Sequence, residues 1–157
     1  MLPHLQGLLA QNVRGLGNSA TGRAKVQGVI NGVAGDDVSI VILTETKLTR
    51  MKHTQQVVRW ANEAGESQWF GRHAVKGSNS GSGVSILFRS ELSPFMANCS
   101  MFQGHAVHQE ICSAADTGHR IHVFVIYIPH GQGSCAWSDQ LGIHPCYLLQ
   151  HWKQNTV

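Results

Sequence analysis

The amino-acid sequence predicts an α/β (α+β) domain built from mixed β-sheet with helices on its outer face, and three observations carry that expectation. Between Leu8 and Leu43 the apolar residues form a continuous run, then a helical stripe, then a second continuous run, which is the pattern of strand, helix, strand. Further along, shorter apolar runs of strand length are punctuated by Gly/Ser and Asp/Gly turns. The chain has 157 residues, 42% of them hydrophobic and 13% charged, which is enough for one core and leaves little for a second. A single domain over 1–157 is therefore expected.

Each element follows from local pattern. Leu8-Leu9-Ala10-Gln11-Asn12-Val13 reads as a buried strand that opens into a loop at Gly15 and Gly17. Val26, Val29, Ile30 and Val33 fall at i, i+3, i+4 and i+7, an apolar stripe on a helix that Ser19 or Thr21 starts and Gly35 stops. Gly28 and Gly32 within it each cost about 1 kcal/mol relative to Ala, so packing must stabilise it. Val38 to Leu43 has the composition of a strand covered on both faces, ending at Thr44-Glu45-Thr46-Lys47.

A second helix is expected from Lys52 to Ala64, with Val57, Trp60, Ala61 and Ala64 on one side and Gly65 as its stop. A Gly/Ser loop from Lys76 to Gly83 leads into a strand over Val84 to Arg89. Val107 to Ser113 and His119 to Ile128 flank Asp116-Thr117-Gly118, which has the composition of a three-residue hairpin loop. Pro145 suits the first turn of a final helix carrying Tyr147, Leu148, His151 and Trp152.

The bulk numbers narrow the function classes. A formal net charge of +3, with no run of like charge, permits a polyanionic partner without specifying one. No basic, apolar leader opens the chain and no apolar run reaches membrane-spanning length. The expectation is an intracellular protein of nucleus or cytoplasm, with no membrane partner. Cys99, Cys112, Cys135 and Cys146 lack Cys-x-x-Cys spacing, so they read as reduced thiols.

Chemistry is suggested at two strand ends. Asn12 follows the first strand and Glu45 the second, and an amide oxygen beside a carboxylate suits a hard ion such as Mg²⁺. Spacing alone fits a turn asparagine and a solvated loop glutamate better than a metal site.

Four blocks raise the first reading. Gln11-Asn12-Val13-Arg14-Gly15-Leu16, Leu43-Thr44-Glu45-Thr46-Lys47, Ser82 to Phe88 and Val125-Ile126-Tyr127-Ile128-Pro129 stand in order along the chain. Together they resemble the endonuclease/exonuclease/phosphatase (DNase I-like) family. The Asn-Val-Arg-Gly-Leu and Glu-Thr-Lys forms are most similar to apurinic/apyrimidinic endonucleases and non-LTR retrotransposon endonuclease domains.

The resemblance implies a four-layer α/β sandwich, of which this chain is the N-terminal part with the C-terminal half of the fold missing. It implies a divalent-metal-dependent phosphodiesterase, using Mg²⁺ or Mn²⁺ and acting on nucleic acid, most simply DNA. Glu45 and Asn12 would hold the metal. Tyr127 and Asn12 would serve catalysis, the phenol as a neutral donor to phosphate or water. Arg14, Lys47 and His130 would contact phosphate, although solvated basic side chains account for Arg14 and Lys47 as well.

Departures from the family pattern limit this. His130 stands where the family has Asn, no Asp-x-Asn block occurs, and Ser138-Asp139-Gln140 has Gln where the Ser-Asp-His block has its acid/base histidine. The truncated chain is expected to be a weak or inactive catalyst. With the second sheet largely absent, the inner face of the first would stand open and favour self-association.

Three rivals remain. His105-x-x-His108 and His119-x-x-His122 suggest a metal site, but on a strand an odd offset sends each pair to opposite faces. A cysteine hydrolase lacks a motif that selects a nucleophile. A non-catalytic remnant or nucleic-acid-binding module is compatible with the mild basicity.

Overall fold

A computed structural model describes residues 5, 7–17, 20–35, 37–75, 83–102, 104–113 and 116–127. The elements run β1 (Leu8–Asn12), α1 (Ala20–Gly32), β2 (Ile40–Thr44), α2 (Met51–Asn62), β3 (Trp69–Ala74), β4 (Val84–Arg89), a 3₁₀ helix (Ser90–Phe95), β5 (Met96–Phe102), β6 (Ala106–Ser113) and β7 (Asp116–Ile126). Residues 76–82 of the expected Gly/Ser loop, His130, Ser138-Asp139-Gln140 and the helix expected at Pro145 lie outside the described residues.

The strands form two sheets. In the first, ordered β1-β2-β4-β3, β1 runs parallel to β2 and the other pairs are antiparallel. The second is the antiparallel succession β5-β6-β7. The mixed sheet follows from connection length, because α1 carries the chain back so that β2 re-enters in the direction of β1.

β2 explains the layering. Side chains alternate across a strand, so Val41 and Leu43 face one way and Ile40 and Ile42 the other. Val41 and Leu43 join Val26 and Ile30 of α1, Val33 just past its end, and Val57, Trp60 and Ala61 of α2 in one core. Ile40 and Ile42 join Ile86 and Phe88 of β4 and Val107, Ile111 and Val125 of the second sheet in another. Helices, first sheet and second sheet are thus three successive layers, each seam apolar.

Four expectations change. The inner face of the first sheet is not open, because three strands of the second sheet pack against it. β1 is a partly exposed edge strand rather than a buried one, with Leu8 55% exposed, since only β2 pairs with it among the described residues. Asp116-Thr117-Gly118 belongs to β7 rather than to a loop. Cys112 pairs with Arg120 but Ser113 with Asp116, so the ladder shifts register and absorbs the intervening residues as an irregularity. Finally, β3 and β5 were not expected. β3 carries Gly71, Arg72 and His73, and β5 is largely exposed, so neither shows a clean apolar period.

Candidate functional site

The ends of β1 and β2 lie side by side, Asn12 in register with Thr44, and the loops that follow continue the pairing. The Val13 N–H donates to the Thr44 carbonyl at 3.1 Å, the Gly15 N–H to that of Glu45 at 2.6 Å, and the Leu16 N–H to that of Thr46 at 2.9 Å. Across the other side, the Thr46 N–H donates to the Gly83 carbonyl at 3.1 Å. Glu45 is therefore anchored through the backbone on both flanks.

Three polar residues meet there. The Asn12 Nδ2 donates to Glu45 Oε1 at 2.9 Å, and the Tyr127 hydroxyl donates to the same oxygen at 2.7 Å. Tyr127 arrives from the second sheet, just past β7, where its N–H donates to the His105 carbonyl at 2.8 Å. Asn12 is itself oriented, because its Oδ1 accepts the Arg14 N–H at 3.0 Å in an Asx-type turn.

Backbone strain concentrates at this rim. Arg14, Glu45 and Lys47 have φ of 48°, 55° and 54°, values that residues with a Cβ seldom adopt. The departure at Glu45 breaks the strand alternation and aims its carboxylate along the rim instead of into a sheet seam. Sequence reasoning had no means of seeing it, since Arg, Glu and Lys do not advertise this conformation.

Two supporting residues also escaped the sequence. Lys25 reaches from α1 and donates to the carbonyls of Val13 at 2.8 Å and Gly15 at 2.9 Å, which pins the loop behind Asn12. Gly83, at φ 121°, lies so close to the Thr46 hydroxyl that a Cβ would collide with it. The signal was present only as a glycine before a strand.

Electrostatics fix the protonation states. The Tyr127 hydrogen bond, then that of Asn12, then the charges of Lys47 and Arg14 hold the Glu45 carboxyl below its ordinary range. Tyr127 is pushed up to about 12, first by desolvation and then by Glu45. An ionised carboxylate beside a neutral phenol is the resulting pair.

Its donor chemistry fits a hard divalent ion. Both of these hydrogen bonds fall on Oε1, and among the described residues no hydrogen bond to Oε2 competes for its lone pairs at the rim. Among the described residues no group of three His, Cys, Asp or Glu side chains is arranged around a point. One free carboxylate oxygen is the kind of donor Mg²⁺ takes, since that ion commonly binds one or two protein oxygens and fills the rest of its shell with water and phosphate. Of the residues predicted from sequence, Asn12, Glu45 and Tyr127 are brought into contact. Arg14 and Lys47 stand close enough to bias the carboxylate, and His130 is outside the described residues.

Among the described residues no helix is long and apolar enough to cross a membrane. No family model matches the sequence, and no curated protein matches it either. Solved structures do match in fold. AP endonuclease LMAP from Leishmania major superposes with a TM-score of 0.56 over 84% of this chain and 43% of its own, at 14% identity. The catalytic domain of Xenopus laevis APE2 superposes with a TM-score of 0.51 over 86% of this chain and 48% of its own, at 17% identity. The chain spans less than half the length of either. On these superpositions, and with a helix layer and two stacked sheets already in place, it carries a part of the DNase I-like α/β sandwich.

Proposed function

We propose that this chain is part of a divalent-metal-dependent phosphodiesterase, an endonuclease acting on nucleic acid, whose ion is Mg²⁺ or Mn²⁺. The observation that carries the reading is the Glu45 carboxylate, with one oxygen tied by Asn12 and Tyr127 and the other left at the rim. One of the two superposed structures, LMAP from Leishmania major, is an AP endonuclease, which favours a nucleic-acid substrate.

In this reading Glu45 Oε2 holds the ion and Asn12 fixes the carboxylate's orientation. When bound, the ion would neutralise charge on a phosphodiester and lower the pKa of a coordinated water. Tyr127 keeps its proton at working pH and so acts as a hydrogen-bond donor to carboxylate or phosphate. Arg14 and Lys47 supply positive charge beside the same rim, which suits phosphate oxygens.

The chain's sequence holds neither an Asp-x-Asn nor a Ser-Asp-His block. A positioned acid/base contributes about 10² to 10⁴ in rate, so by itself this chain should hydrolyse DNA at least that much more slowly than a complete catalyst.

Two measurements test the reading. Mn²⁺ should broaden the backbone NMR resonances of Asn12 and Glu45 selectively, and Glu45→Gln should remove the effect. Supercoiled plasmid should be nicked slowly in Mg²⁺, not in chelator, and not by the variant. Unbroadened resonances at the rim, or nicking that survives Glu45→Gln, would overturn the assignment.

A further inference from the structure

One member of each histidine pair visible in the sequence meets a member of the other across the second sheet. His108 lies on β6 and His122 on β7, where His108 is in register with Phe124 and Glu110 with His122. The two histidines are therefore diagonal neighbours on one face, and it is the face turned away from the first sheet. Val107, Ile111 and Val125 occupy the opposite face and pack in the seam between sheets.

We propose that His108 and His122 form a two-imidazole site for a borderline transition-metal ion, Cu²⁺ first among them. His108 Nε2 and His122 Nδ1 are 3.0 Å apart. Two nitrogens each about 2.0 Å from one ion are roughly 2.8 Å apart at a right angle and roughly 3.3 Å apart at a tetrahedral angle. The observed spacing falls between these limits, close to adjacent corners of a tetragonal ion. A shared proton now links the nitrogens. Moving it to the far nitrogen of its own ring exposes both lone pairs with no net release of protons.

The surroundings support an ion there. Phe124 stacks on His108 with ring centroids 4.2 Å apart and planes 12° from parallel, and the His122 ring lies within 14° of the His108 plane. Both rings are thus held in place before an ion arrives. Among the described residues the charged groups on this face are Glu110 and Arg120, which bind each other, with Asn98 Nδ2 donating to Glu110 Oε2 at 2.7 Å. The Cys112 thiol shares the face four residues along β6 from His108.

Among the described residues no third His, Cys, Asp or Glu joins them. The site is chemically distinct from the Glu45 rim. Tyr127 lies five positions along the chain from His122, roughly 17 Å at about 3.3 Å per residue. Imidazole nitrogens select borderline ions where the carboxylate selects hard ones.

The test uses the full chain and Cu²⁺ held by iminodiacetate, which leaves positions for two imidazoles. Electron paramagnetic resonance should show coupling to two imidazole nitrogens. His108→Gln and His122→Gln should each reduce this to one and weaken binding about tenfold or more, because either change removes the chelate. A single coupled nitrogen in the parent, or affinities within about twofold in both variants, overturns the proposal. A Zn²⁺ titration of the unsubstituted chain gives a readout that does not depend on how the variants fold. The ¹⁵N resonances of His108 Nε2 and His122 Nδ1 should move together, and shifts confined to other histidines would also overturn it.

Discussion

The four-stranded and three-stranded sheets share one apolar seam and differ in what lies on their other faces. α1 and α2 cover the first sheet, so β2 is buried on both sides and its sequence is an almost unbroken apolar run. On the second sheet, Val107, Gln109 and Ile111 point into the seam while His108, Glu110 and Cys112 point away. Even the inward row is mixed, because Gln109 is fully buried, accepting from Arg72 Nε at 3.2 Å and donating to the Asn98 and Glu110 carbonyls. The comparison teaches that function and packing divide by layer. The first sheet supplies rigid strand ends for the Glu45 rim, and the second spends its outer face on polar and aromatic side chains.

Two phenylalanines give that difference its largest measurable consequence. Phe88 of β4 is fully buried in the seam and stacks with Phe70 at 5.4 Å between centroids. Phe88→Ala should destabilise the chain by about 3–5 kcal/mol in urea denaturation, the range for a large aromatic deleted from a packed core. Phe124, on the outer face of the second sheet, is 48% exposed, so Phe124→Ala should cost less than about 1 kcal/mol. Comparable losses would mean that the outer face is covered, and the contrast between the sheets would fail.

A middle-sized effect separates the histidines of the two sheets. His73 of β3 is buried, its Nδ1 is 2.8 Å from the Ser85 hydroxyl oxygen, and desolvation, then Arg72, lowers its pKa to about 4. Its ring lies over Gly71, where a side chain would displace it. The unfolded chain protonates this histidine below about pH 6.5, whereas the folded chain resists until about pH 4. The native state is therefore fully favoured above pH 6.5 and loses stability as pH falls through that window, on the order of 2 kcal/mol by pH 5. His73→Gln should flatten that part of the stability profile, and an unchanged slope would mean the burial has been misjudged.

The same division explains what the sequence disclosed. α1, α2, β2 and β4 face apolar neighbours on a regular period, and their residues announce them. β5, exposed along most of its length, has no such period, and β3 hides a buried histidine behind a glycine. At the candidate site, Asn12, Glu45 and Tyr127 were legible only as members of a block resemblance, being 33 and 82 residues apart along the chain. Their contact depends on the left-handed backbone at Glu45 and on Lys25 gripping two carbonyls from another element. Neither device has a local sequence signature. The pairing of His108 with His122 was hidden differently, because equal i, i+3 spacings drew attention to partners on the same strand instead of across it.

The smallest effect tests the helix layer that gives the first sheet its second cover. Gly28 and Gly22 both lie in α1, and the chain needs only one of them to be glycine. Nothing lies within 4 Å of a Cβ built at Gly28, which is exposed beside the groove between β1 and α1. Gly28→Ala therefore restricts the unfolded chain and favours the helix without a clash, and should raise stability by about 0.5–1 kcal/mol. Gly22 is buried in the first turn, and a Cβ there would run into the Leu16 carbonyl, so the same substitution should be destabilising. Opposite signs for two identical changes six residues apart would show that α1 is held against the loop behind Asn12 at its start and only by its apolar stripe beyond. Stabilisation by both would mean that the first turn of α1 does not press on that loop, and the support it lends to the Glu45 rim would have to come from Lys25 alone.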